Sequence, residues 1–156
     1  MATAKLPAFS LKNQDGETVK HTSLRGSAWL LFAFPKAATS GCSVQAKGMK
    51  DEARAFAARG VQVLGLSPDA PEVLARWKAK EGFPFDFLSD PEHKLLDALG
   101  AWGEKSMYGK KYMGVIRSHW LIDAEGRIVD AQVKVSPAES IERARAAVTA
   151  RKAGQD

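Results

Sequence analysis

The sequence predicts an α/β domain: a central mixed β-sheet with helices on both faces and a β-hairpin at its N-terminal end. Three observations predict it. Two apolar runs of strand length, 28–34 and Val61–Ser67, are of the kind buried on both faces of a sheet. Segments of helical apolar spacing follow them and stop at Gly60 and Gly82. Strand and helix signals then alternate along most of the chain, the pattern of a sheet covered on both sides.

In order, residues 9–11 and Thr18–Lys20 flank the turn Asn13-Gln14-Asp15-Gly16, a hairpin signal. The first core strand, 28–34, ends at Pro35. Residues 43–58 carry Val44, Met49, Ala53, Phe56 and Ala57 at roughly helical spacing. The second core strand turns Val61, Val63, Leu64 and Leu66 into the interior. Pro71 suits the first turn of a helix that buries Val73, Leu74 and Trp77. A short strand at 85–88 leads to a helix opening at Asp90-Pro91, with Leu95, Leu96 and Leu99 on one side. Segments 115–122 and Arg127–Val133 read as strands paired around the turn 123–126. Ser136 as N-cap, Pro137 at the first helical position and Glu139 completing a capping box open the last helix.

Composition narrows the function classes. With 156 residues the chain is long enough for one domain with a real core. No apolar run reaches the length of a membrane span, and MATAKLPAFSLKN lacks the apolar stretch of a secretion signal, so a cytoplasmic location is expected. The net charge of +5 comes from scattered cations such as Lys47, Lys50, Arg54 and Arg59, read as solvated helix faces. No arginine-rich arm, zinc finger or aromatic–basic pattern points to nucleic acid. His21, His93 and His119 share no ligand spacing, so no metal and no cofactor are expected; a structural or surface role is assigned to each, and His119 is expected to point away from the neighbours of Arg117.

The one residue that carries chemistry is Cys42, the only cysteine. It follows a buried strand and a short loop, FPKAATSGC, and opens a helix. Unpaired N–H groups at a helix start favour an anion, and the thiolate is the nucleophilic form of cysteine. Thr39 brings a hydroxyl able to cap the turn or to bond the sulfur and its substrate. A lone cysteine is otherwise most often a small buried apolar residue. Its being single excludes an internal disulfide and fits a reducing compartment.

These residues resemble the peroxiredoxin motif, in which a proline, a threonine four positions on and a cysteine three further form the peroxide site; here they are Pro35, Thr39 and Cys42. PKAATSGCSVQA, VQVLGLSPD, FLSDPEH, LGAWGEKSMYGKKYMGVIRS and LIDAEGRI, in that order, are similar to the bacterioferritin-comigratory-protein branch, or PrxQ group. The resemblance implies a single thioredoxin-like domain over 1–156, with its core at about 6–148. It also implies an arginine that reaches the cysteine from a late strand, Arg117 in GVIRSHWLID. Gln45, one turn along the helix from Cys42, is a candidate supporting residue, with a solvent-facing helix position as the equal alternative. The activity implied by the resemblance is thiol-dependent reduction of hydrogen peroxide and organic hydroperoxides through a sulfenic acid on Cys42. A monomer is implied as well.

Departures from the branch shape that expectation. Relatives place a resolving cysteine five residues after the first, here Lys47, or on the next helix, here near Lys78. Both are lysine, so a one-cysteine cycle is expected, with an external reductant: thioredoxin, glutaredoxin or a low-molecular-weight thiol. Ser40 replaces a proline common in the branch. The competing function is a peroxide-responsive sensor or binding protein using the same cysteine. Intact Pro35, Thr39 and Arg117 favour catalysis, since a sensor needs only a reactive sulfur. The lack of a C-x-x-C pair argues against disulfide transfer.

Overall fold

The computed structural model describes residues 4–150, except for the side chains of Ser40, Gly41 and Met107. The strands are β1 (Ala4–Lys5), β2 (Ser10–Asn13), β3 (Thr18–Lys20), β4 (Ala28–Ala33), β5 (Val61–Ser67), β6 (Asp86–Ser89), β7 (Trp102–Met107), β8 (Lys110–Val115), β9 (Ser118–Ile122) and β10 (Arg127–Val133). The helices are α1 (Ser40–Ala58), α2 (Pro71–Glu81), α3 (Lys94–Ala98) and α4 (Pro137–Ala150), with a 3-10 turn at His21–Leu24.

Eight strands form one mixed sheet in the order β1-β10-β9-β4-β5-β6-β2-β3. β4, β5 and β6 run parallel, and β9 lies antiparallel beside β4. The period-2 alternation of the central strands sorts their side chains onto two cores. Leu30, Phe32, Val63 and Phe87 face one core with Met49 and Phe56 of α1, Trp77 of α2 and Val148 of α4. Leu31, Leu64, Leu66 and Leu88 face the other with Leu95 and Leu96 of α3 and with Trp120. The predicted mixed sheet with helices on both faces is therefore the observed one, with the N-terminal hairpin β2–β3 at its edge. No helix among the described residues is long and apolar enough to cross a membrane.

Several elements differ from their sequence reading. α1 begins three residues before the predicted start at 43, so Cys42 lies inside its first turn. The helix expected to open at Asp90 is the short α3, because the Asp90 carboxylate takes the N–H groups of Lys94 and Leu96. Residues 115–122 are not one strand. The chain breaks at 116–117 between β8, which pairs with β7, and β9, which joins the main sheet. Trp29, read as buried, is half-buried and donates its indole N–H to the Leu24 carbonyl. The capping box of α4 is present: Ser136 and Glu139 exchange backbone-to-side-chain bonds at 3.1 Å.

α1 and α4 lie against each other over the sheet. Gly48 permits this approach, since a Cβ there would run into the Ile141 side chain. The contact sets Ser140 against α1.

Candidate functional site

The site stands where β4 hands the chain to α1. Beyond Phe34 the loop is tied to the end of β5. Ala37 N–H donates to Asp69 Oδ2 at 2.7 Å, and Ser67 Oγ donates to the same oxygen at 2.8 Å. Pro35 is half-buried at the start of this loop. Thr39 is extended and occupies the N-cap position of α1. Its hydroxyl does not cap the helix; it donates to the Lys36 carbonyl at 2.8 Å. Ser40 lies outside the described side chains. The bond from Ser43 N–H to the Thr39 carbonyl follows Cys42, so the Cys42 amide is one of the helix-start donors. Cys42 itself has no exposed surface. A reactive thiol is ordinarily partly accessible, whereas this one is covered in the structure.

Arg117 arrives from the break between β8 and β9, its carbonyl held by the Val135 N–H at 3.0 Å. Nη2 donates to Cys42 Sγ at 3.4 Å and Nη1 to Gln45 Oε1 at 2.7 Å. Gln45, for which a solvent-facing position was an equal alternative, is completely buried and donates through Nε2 to Ser140 Oγ at 3.2 Å. Of the five residues singled out from the sequence, Cys42, Arg117 and Gln45 are joined directly. Thr39 stands at the same helix start, bonded to the backbone rather than to sulfur.

Two groups escaped the sequence reading. Lys105 on β7 places its ammonium on the Val115 carbonyl at 2.8 Å. Its pKa is lowered, first by burial and then by the Arg117 charge, while the Cys42 sulfur acts in the opposite direction. Nothing in the run GEKSMYGKK sets this lysine apart from its neighbours; only the fold of the β7–β8 ribbon does. The second is His119. It is completely buried and lies 2.8 Å from Ser140 Oγ through Nδ1. The expectation that it points away from the neighbours of Arg117 is thereby corrected, because Ser140 links it to Gln45. His93 stacks on Trp102 at 3.9 Å, and His21 Nδ1 accepts from the Phe9 N–H at 3.2 Å.

Lys47 and Lys78, singled out from the sequence as standing at and near the places expected for a resolving thiol, form ion pairs with Glu81 at 3.3 Å and Asp86 at 2.6 Å.

The AhpC/TSA family profile matches residues 2–131. The chain belongs to the AhpC/TSA family. Within it the chain is similar to peroxiredoxin Bcp of Escherichia coli, with 48% identity over 122 residues, 78% of each chain. It is also similar to peroxiredoxin Bcp of Bacillus subtilis, with 39% identity over 140 residues, 90% of this chain and 89% of that one. Among solved structures, the bacterioferritin comigratory protein of Xanthomonas campestris, studied for its alkyl peroxide reduction activity, superimposes with a TM-score of 0.84 at 30% identity. That match covers 91% of this chain and 90% of the other. The thioredoxin-like peroxiredoxin fold and the Bcp/PrxQ resemblance drawn from the sequence both hold. As a member of this group the chain is a thiol-dependent peroxidase, and its single cysteine fits the one-cysteine type.

Proposed function

We propose that Cys42 reduces hydrogen peroxide and organic hydroperoxides in a one-cysteine cycle, with Thr39, Arg117 and Pro35 completing the site. The observation that carries the assignment of roles is Arg117 Nη2 at 3.4 Å from Cys42 Sγ. A guanidinium cannot lose its charge under ordinary conditions, so it stands as a fixed cation beside the reacting sulfur, where negative charge develops on the peroxide oxygens.

The thiolate attacks the terminal oxygen of the hydroperoxide in line with the O–O bond. An S–O bond forms, the O–O bond breaks, and the departing oxygen takes a proton to leave as water or an alcohol. Sulfur loses two electrons and becomes a sulfenic acid; the peroxide gains them. Arg117 and the helix-start amides stabilise the charge that moves onto the departing oxygen. Thr39 donates to Lys36 in the resting state, so its oxygen is free to accept from the hydroperoxide O–H and orient it. Pro35 limits water at the sulfur.

An external thiol then attacks the sulfenic acid. Water leaves, a mixed disulfide forms, and a second thiol releases Cys42. Thioredoxin, glutaredoxin or a low-molecular-weight thiol supplies these equivalents, and the protein acts as a cytoplasmic monomer, a single domain over 1–156. Residues 1–3 and 151–156 lie outside the described part of the chain.

The test is stopped-flow mixing of the reduced protein with hydrogen peroxide and with an organic hydroperoxide, followed by intact mass. A reaction far faster than that of a free thiol, with one oxygen added to Cys42, is expected. A rate no better than a free thiol overturns the proposal.

A further inference from the structure

Behind Arg117 lies a line of polar side chains sealed from solvent. Gln45 of α1, Ser140 of α4 and His119 of β9 are all completely buried. They connect end to end, from Arg117 Nη1 to Gln45 Oε1 (2.7 Å), from Gln45 Nε2 to Ser140 Oγ (3.2 Å) and from Ser140 Oγ to His119 Nδ1 (2.8 Å). The other arm of the same guanidinium holds Cys42 Sγ.

The donors in this line have a single consistent direction. A guanidinium has donors only, so the Gln45 amide must turn its oxygen to Arg117 and its nitrogen to Ser140. Ser140 Oγ accepts that bond and keeps its own proton for another acceptor. His119 provides one: burial drives its pKa down to about 4, so the ring is neutral near neutral pH, and we assign it the tautomer with its proton on Nε2, whose Nδ1 at 2.8 Å accepts from Ser140. The ring proton then sits on Nε2, which is buried and has no hydrogen-bond partner among the described residues. A buried unpaired donor is unfavourable, and an apolar side chain at this inward strand position would avoid it. What the imidazole supplies in return is the acceptor at Nδ1.

We propose that His119 and Ser140 are positioning residues for Arg117, acting by fixing which way the Gln45 amide faces. With its proton committed to His119, Ser140 presents only lone pairs to Gln45. The amide cannot flip, because flipping would set its oxygen against those lone pairs and its NH₂ against the guanidinium. The fixed amide oxygen in turn aims Arg117 at the sulfur. This inference rests on the role proposed above for Arg117.

The test compares the full-length protein with S140A, H119L and H119N, after circular dichroism and melting curves show which variants are folded. Two rates are read for each: oxidation of Cys42 by hydrogen peroxide, and alkylation of Cys42 by iodoacetamide at pH 7. S140A and H119L are expected to slow both by roughly tenfold or more, the size of effect that follows from misplacing a reacting group. H119N keeps an acceptor near the position of Nδ1 and is expected to stay within about threefold of the parent. The double variant is expected to be no slower than either single, since both break one line. Should H119L fail to fold, S140A, which removes a single hydroxyl, decides alone. Folded S140A with both rates within about twofold of the parent overturns the proposal. A parent that is itself slow with peroxide overturns the peroxidase reading instead, while alkylation still reports whether Arg117 has been displaced.

Discussion

Arg117 divides its donors between an amide oxygen and a sulfur, and this division is what a lysine cannot reproduce. An ammonium on a flexible stem can satisfy Gln45 or Cys42, but it cannot span both with a rigid fork. R117K is expected to lower the rate of Cys42 oxidation by about 10²-fold, the usual cost of removing a preorganised charge stabiliser. Stopped-flow kinetics check this; a variant within about threefold would place the stabilisation elsewhere. The residues of this site were unequally legible in the sequence. Cys42 stands out because it is alone and follows a strand, a loop and a proline. Arg117 is one of many cations, and only the family pattern singles it out. Lys105 and His119 carry no local signal, since each becomes relevant through a residue distant in the chain, Val115 and Ser140.

Among the elements, β5 is held close to its neighbours by Gly65. A Cβ at this position would run into the Phe87 ring and stand 3.3 Å from Phe32 Cζ. These rings belong to a tight aromatic cluster, with Phe32 and Phe87 edge-to-face at 6.3 Å and Phe34 and Phe87 at 5.8 Å. The rings have no slack to yield, so G65A is expected to destabilise the fold by about 1–3 kcal/mol. Urea denaturation measures it: the midpoint falls while the slope stays the same. The core strands were readable because burial on both faces writes itself as an unbroken apolar run. The β7–β8 ribbon was not. Its residues Lys105, Tyr108, Lys110, Lys111, Tyr112 and Met113 show no clean alternation, and the ribbon lies outside the main sheet, pairing only with itself. The length of α3 was hidden for a different reason. Asp90 reaches across the turn to cap Lys94 and Leu96, and this places His93 in the left-handed region at φ +49°.

For the molecule as a whole, His119 makes stability depend on acid. Its folded-state pKa is held down to about 4 by burial, opposed by the Asp130 charge and reinforced by Arg143, against an ordinary value of 6.5. Between these values the unfolded chain binds a proton that the folded chain refuses, so stability rises with pH through this window. It falls as pH drops from 6.5, and the loss is complete below about 4. The shift corresponds to about 3 kcal/mol. H119N lacks this term. Over pH 6.5 to 4 the parent is therefore expected to lose about 3 kcal/mol more than H119N in denaturant titrations. Parallel curves for the two proteins would show that the ring is not excluded from protonation.

The amino-acid order alone determined the mixed sheet, most of its strands, the capped last helix and the cysteine that carries the chemistry. Each is written locally, in apolar period, turn residues or an unpaired thiol type, within reach of a few neighbours. Only the tertiary structure decided that Arg117 also holds Gln45, that Ser140 and His119 stand behind them, and that 116–117 separates two strands. Those facts depend on α1, α4 and β9 meeting in space. A hydrogen bond between residues 72 or 95 positions apart leaves no local mark in a sequence.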